Sequence, residues 1–214
     1  MLVLKLKMVH YMMVIIMKKN DWKGNYKSIY STLGASNHSD YERAENDFYS
    51  TDPEAIDYLL KYEQFNNDIW ECACGNGNMS KRLEKYGYNV TSTDLVYRGF
   101  GIGGIDFLKC NDKFNGDIIT NPPYKYATEF VLKALELSER KVAMFLKVQF
   151  LESKKRWDKL FKYYPPSTIY VFVKRINCYR NDDRSIKNSA VCYSWFVWDK
   201  EYNGETKVKW INNF

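Results

Sequence analysis

From Pro53 onward, short apolar runs alternate with longer segments whose apolar residues recur at helical spacing. Strand-like runs fall at 68–70, 89–93, 117–120, 142–148, 168–173 and 191–198, and helix-like segments at 53–62, 78–86, 127–137 and 153–163. Parallel neighbours need a crossover long enough to hold a helix. The alternation therefore predicts a doubly wound α/β, Rossmann-like domain: a mostly parallel sheet covered by helices on both faces. The last two runs have no helix between them and predict a closing antiparallel pair. Local signals agree at several ends. Asp52 and Pro53 open the first helix, with Ile56, Leu59 and Leu60 at apolar spacing, and Gly87 closes the second.

The 214 residues suffice for one domain with a substantial core, which we place at 48–214. Residues 17–47 read as a polar arm rich in Asn, Ser and charge. Residues 1–16 are apolar with Lys5 and Lys7 near the front, lack a small-residue cleavage site, and are too short and interrupted to span a membrane. Met17 looks like a natural start, so 1–16 read as a start-site extension. Five cysteines without framework spacing fit a reducing, cytoplasmic setting. His10 and His38 flank no ligand cluster, and Cys72-Ala73-Cys74 is one residue short of a metal-binding hook, so no metal site is expected. The net charge of +6 is compatible with a polyanionic partner.

The run Trp70-Glu71-Cys72-Ala73-Cys74-Gly75-Asn76-Gly77 leads from the first parallel strand into a glycine loop. Gly75 and Gly77 let the backbone turn sharply beside a ligand. Ser80 replaces the third glycine of a dinucleotide fingerprint, and a carboxylate at Glu71 would repel a pyrophosphate but attract an ammonium group. Asp94 ends the next strand, where an acid can accept both hydroxyls of a ribose. Asp106 adds an acceptor for an adenine amino group. Such a series describes a pocket for an adenosine that bears a positively charged amino acid, of which S-adenosylmethionine is an example.

Asn121-Pro122-Pro123-Tyr124 follows the buried-looking strand 117–120, just past its carboxyl end, where parallel sheets place ligands. Two prolines fix two φ angles and remove two donors, leaving a stiff loop with free carbonyls. Asn121 adds an amide oxygen and Tyr124 an aromatic face. The set suits a planar substrate that carries an amino group. A plain strand-to-helix turn is the structural alternative.

These residues together resemble the class I S-adenosylmethionine-dependent methyltransferases, specifically the adenine-N6 DNA methyltransferases of bacteria and phages. Residues 121–124 match that family's catalytic motif, and Glu71 to Gly77 resemble its cofactor motif. Phe48-Tyr49-Ser50-Thr51-Asp52-Pro53 resembles the segment that closes over the cofactor. The resemblance runs over about residues 24–212 and implies a seven-stranded sheet with an antiparallel last strand. It implies that Glu71, Gly75 and Gly77 hold the methionine part, that Asp94 and Leu95 hold the ribose and pack on the adenine, and that Asp106 and Phe107 hold the adenine's amino edge. Tyr49 and Thr51 would cover the site. Asn121 and Pro122 would hold the target amino group while Tyr124 stacks on the base.

Many such enzymes carry a large target-recognition domain, for which this chain has no room. Short segments remain at 152–163 and 179–189, with Lys154, Lys155, Arg156, Lys159 and Lys162 on the first and Arg175, Arg180, Arg184 and Lys187 around the second. They are candidates for phosphate contact, against the alternative of a solvated helix face. DNA is the expected partner. RNA bases and protein glutamine are alternative acceptors, because each offers a planar group with an NH2. A non-catalytic nucleic-acid-binding module on the same fold is a further alternative.

Overall fold

The computed structural model describes residues 48–180, 182 and 191–212. Residues 1–47, with the expected extension and arm, and the late-loop residues Arg184 and Lys187 lie outside the described residues. Nine strands and four helices are named here: β1 Tyr49–Thr51, α1 Glu54–Leu60, β2 Asp68–Glu71, α2 Asn78–Lys85, β3 Asn89–Ser92, β4 Asp117–Thr120, α3 Ala127–Leu137, β5 Lys141–Lys147, α4 Lys154–Arg156, β6 Thr168–Phe172, β7 Cys178–Arg180, β8 Tyr193–Asp199 and β9 Lys207–Ile211. The main sheet has seven strands in the order β3-β2-β4-β5-β8-β6-β9. All neighbours are parallel except where β8 inserts antiparallel between β5 and β6. The doubly wound, mostly parallel expectation thus holds, and β8 is its antiparallel strand. The chain then adds one more strand, β9, parallel to β6 at the sheet edge.

Side-chain alternation along β5 shows why both faces must be covered. Val142, Met144 and Leu146 join Trp70, Phe107, Phe130, Val131 and Phe196 on one face, under α3 and the segment after α4. Ala143 and Phe145 join Ile56, Leu59, Met79, Leu83 and Trp195 on the other, under α1 and α2. A strand buried on both faces reads as a continuous apolar run, as β5 does. Trp195 Nε1 donates to the Ala55 carbonyl at 2.8 Å and ties α1 to the centre of the sheet.

The long helix expected at 153–163 is different. Three α-helical residues give way to a π-helix over Trp157–Phe161. The wider turn brings adjacent Leu160 and Phe161 into the core together and leaves Trp157 exposed. Three short elements escape the sequence reading: β1, β7 and β9. β1 and β7 pair antiparallel as a separate two-stranded ribbon, with Tyr49 opposite Arg180 and Thr51 opposite Cys178. β4 is parallel to β2 and β5, so its carboxyl end and theirs share one rim of the sheet. Among the described residues, no helix is long and apolar enough to cross a membrane.

Candidate functional site

The glycine loop forms because β2 must turn into α2 without a side chain in the way. Gly75 and Gly77 have φ of 55° and 79°, in the left-handed region that costs other residues strain. A Cβ on Gly75 would lie 2.4 Å from the Phe48 ring, and one on Gly77 would lie 2.2 Å from the Phe100 ring. The loop is therefore packed between two aromatic rings. Gly77 is the N-cap of α2. The Gly75 amide donates to Asp94 Oδ2 at 2.9 Å, and the Val96 amide donates to Oδ1 at 2.9 Å. Asp94 thereby fixes the loop, and each oxygen keeps a second lone pair.

Glu71 is buried at the end of β2, where its carboxylate accepts from the Ser80 hydroxyl; Ser80 in turn accepts from Ser92 at 2.7 Å. Ser80 lies in the first turn of α2, so the carboxylate faces the helix's positive end. Burial still dominates and pushes the Glu71 carboxyl up to about 8.

Asn121 stands just past β4. Its Nδ2 donates to the Thr51 hydroxyl at 2.8 Å and to the Tyr49 carbonyl at 3.2 Å, both on β1. Its Oδ1 is buried and has no hydrogen-bond partner among the described residues. The Tyr124 ring packs against Tyr49 and Tyr193, at centroid distances of 5.5 and 5.9 Å, with Lys147 Nζ 4.9 Å over it. Its hydroxyl lies 3.8 Å from Cys178 Sγ. Burial holds the Tyr124 phenol well above its ordinary range and pushes the Cys178 thiol up to about 12, so both stay neutral. Tyr124 is a surface for contact and is not a base.

One cavity of about 640 Å3 joins these parts, within the roughly 300–1,000 Å3 typical of small-molecule sites. Tyr49, Thr51, Glu71, Gly75, Asp94, Leu95, Asp106, Phe107, Asn121, Pro122, Pro123 and Tyr124 all line it. Of the cofactor and catalytic residues expected from the sequence, Gly77 alone is off its wall. Asp106 accepts from the Leu108 amide at 3.2 Å and pairs with Lys109 at 3.1 Å, while Phe107 is buried against Trp70 and Phe130.

Several wall residues were not legible in advance. Phe48 lies against Gly75 with Arg98 4.4 Å over its ring. Ser50 bridges β1 to the glycine loop, accepting from Asn78 at 2.5 Å and donating to Asn76 at 3.4 Å. Behind the wall, Tyr193 and Cys178, which pack on Tyr124, come from strands distant in sequence. Only Phe48 and Ser50 had a signal, as members of the segment that leads into α1.

The basic segment near the rim is smaller than the sequence suggests. Arg156 turns inward, and its guanidinium donates to the carbonyls of Phe150 at 2.7 Å, Gln149 at 3.1 Å and Glu152. Lys154 pairs with Asp158 at 2.6 Å. Lys155, Lys159 and Lys162 stay exposed. Among the described residues, no group of His, Cys, Asp or Glu could hold a metal ion.

No family model and no curated protein matches the chain. Solved structures do. A protein solved in a study of disulfide-to-thioacetal conversion during echinomycin biosynthesis is 12% identical, with 84% of this chain and 93% of that one covered and a TM-score of 0.51. A Pyrococcus horikoshii protein assigned as an RNA methyltransferase is 16% identical over 66% and 77% of the chains, with a TM-score of 0.48. A Thermotoga maritima SAM-dependent O-methyltransferase is 14% identical over 72% and 66%, at 0.45. Identities this low speak to fold alone. The shared fold is the doubly wound, mostly parallel sheet with β8 inserted antiparallel between β5 and β6.

Proposed function

We propose that the protein transfers a methyl group from S-adenosylmethionine to the N6 amino group of adenine in DNA, with the target base turned out of the duplex. The observation that carries this reading is Asn121, on the same cavity wall as the glycine loop and Asp94, with its Oδ1 buried and without a partner among the described residues. A buried acceptor without a partner is costly unless a ligand supplies the donor.

The wall fits the cofactor. Glu71 suits its ammonium, Asp94 its ribose hydroxyls, and Asp106 with Phe107 the adenine edge, while Leu95 and Tyr49 flank it. The carboxylates of Asp94 and Asp106 would repel the pyrophosphate of a nicotinamide cofactor. When bound, the cofactor supplies a methyl group on a positively charged sulfur.

The chain's own residues supply placement. An exocyclic amine is a weak nucleophile, because its lone pair is delocalised into the ring. Asn121 Oδ1 and the Pro122 carbonyl accept its two hydrogens, which favours a pyramidal nitrogen and stabilises the positive charge that grows on it during attack. Pro122 and Pro123 keep both acceptors in place, which is most of what such a reaction needs. With the methyl group supplied by the cofactor and the bond's electrons kept on its sulfur, the amine held by Asn121 and Pro122 would lose one N–H proton to solvent. Tyr124 offers its ring to the extruded base.

Asn121→Ala is expected to lower methyl transfer about 100- to 1,000-fold while cofactor binding persists. A tritiated-methyl assay on DNA, RNA and protein, followed by nucleoside digestion for N6-methyladenine, measures the first. Calorimetry measures the second. Near-wild-type transfer by the variant would overturn the assignment. Label in RNA or in glutamine instead would move the activity to another planar NH2 acceptor.

A further inference from the structure

We infer that Thr51 is a positioning residue for the acceptor amide, and that the β1–β7 ribbon exists in part to aim it. The inference rests on the role proposed for Asn121 and assigns Thr51 to the acceptor side of the cavity, where the sequence had suggested a cofactor cover.

An asparagine side chain has two faces that differ only in what they can do: Oδ1 accepts and Nδ2 donates. Which way the amide points is decided by its partners. The Tyr49 carbonyl can only accept, so the atom facing it at 3.2 Å is Nδ2. Thr51 Oγ1, at 2.8 Å, accepts the second Nδ2 hydrogen. Both hydrogens are thus committed to β1, and Oδ1, on a residue that lines the cavity, is left buried with no partner among the described residues. The Thr51 hydroxyl proton has its own destination. Thr51 sits opposite Cys178 in the ribbon, within reach of that sulfur, which the Tyr124 and Tyr193 hydroxyls also approach. Thr51 is buried, so water does not compete for its oxygen.

Two consequences follow for the amide. Its rotation about χ2 is held by a pair of bonds more firmly than by one. Donation from Nδ2 also polarises the amide and makes Oδ1 a better acceptor. The carbonyl of Tyr49 persists in any Thr51 variant, so losing the hydroxyl weakens the hold without abolishing it. A single neutral hydrogen bond of this kind is worth about tenfold in rate.

The test compares Thr51→Val with Thr51→Ser. Valine keeps the shape and deletes the hydroxyl; serine keeps the hydroxyl. In cofactor-free protein labelled with 15N-asparagine, the side-chain amide protons of Asn121 are expected to exchange with solvent several-fold faster in T51V than in wild type and to recover in T51S. In single-turnover transfer at saturating cofactor, T51V is expected to be slower by about tenfold with an unchanged cofactor Kd, and T51S is expected to recover most of the rate. Thr51→Ala replaces T51V if the valine disturbs the melt of the free protein. A T51V whose exchange and single-turnover rate match wild type, or whose cofactor Kd rises while the rate holds, overturns the inference. Faster amide exchange in a protein whose wild type transfers no methyl group to any acceptor would leave the hold intact and sink the functional reading instead.

Discussion

At the scale of single residues, the site is built from groups whose chemistry is set by burial. Glu71 is the clearest. Its carboxyl is pushed up to about 8, so at neutral pH it is mostly protonated in the free protein. A folded-state value above the unfolded one of about 4.5 means that folding favours the protonated form. The contribution to stability is full below pH 4.5 and is lost as pH rises to 8. The Glu71→Gln variant should therefore show a flatter melting-temperature profile than wild type between pH 5 and 8 on the same scale, read by thermal unfolding. The same proton bears on the cofactor. An ammonium group facing Glu71 needs the carboxylate ionised, so binding below pH 8 must release a proton. Cofactor Kd is expected to fall by up to tenfold for each unit rise from about pH 6 toward 8. Calorimetry in two buffers of different ionisation enthalpy counts the proton. A pH-independent Kd with no buffer dependence would remove Glu71 from the cofactor's surroundings. None of this was legible from the sequence. The position of Glu71 was, because it ends a strand before a glycine loop, but the Ser80 and Ser92 hydroxyls that hold it come from a helix and a second strand.

At the scale of elements, what could be read depended on length. β4 and α3 appear over the residues expected, because a continuous apolar run and an 11-residue amphipathic stretch carry their own pattern. β1 and β7, at three residues each, are too short to show a period of two. They exist because each satisfies the other's backbone. β9 does alternate, but it turns Val208 and Trp210 outward, so its pattern points away from any core the sequence could suggest. The glycine loop lies between these cases. Gly75 and Gly77 were legible as a turn, but the rings that crowd them, from Phe48 and Phe100, were not. Gly77→Ala is accordingly expected to cost about 1–3 kcal/mol, part from the left-handed backbone and part from the Phe100 ring. Denaturant melts of G77A, F100A and the double variant separate the two. The double variant should be less destabilised than the sum of its parts, since removing the ring removes the clash. Strict additivity would mean that backbone strain alone sets the cost.

At the scale of the whole molecule, the question is which planar NH2 acceptor reaches the cavity, and the charge distribution bears on it. A net charge of +6 over 214 residues is modest, and it spreads over a chain with 26 acids. What decides the affinity for a polyanion is the cations at the rim. Arg156 is committed to backbone carbonyls and Lys154 to Asp158, while Lys155 and Lys159 are exposed on the segment after β5 and Lys125 is exposed beside Tyr124. Lys162 lies toward the opposite end of the sheet, two residues before Tyr164, whose carbonyl accepts from Trp198 opposite Val142. A duplex that delivers its base to Tyr124 must lay phosphates across this rim. Each phosphate neutralised releases counterions and contributes about −0.9 to the slope of log K against log salt. Three lysines so engaged predict a slope of about −2.7. The Lys155→Ala, Lys159→Ala pair should flatten it by about 1.8 without altering single-turnover transfer at saturating DNA, because neither residue lines the cavity. Anisotropy of a labelled duplex titrated from about 50 to about 200 mM salt measures both slopes. A protein acceptor carries no phosphates and gives no such dependence. A flat response in the wild type would therefore argue for a glutamine-bearing acceptor, while a steep slope that the pair of substitutions leaves unchanged would place the duplex on another face of the fold.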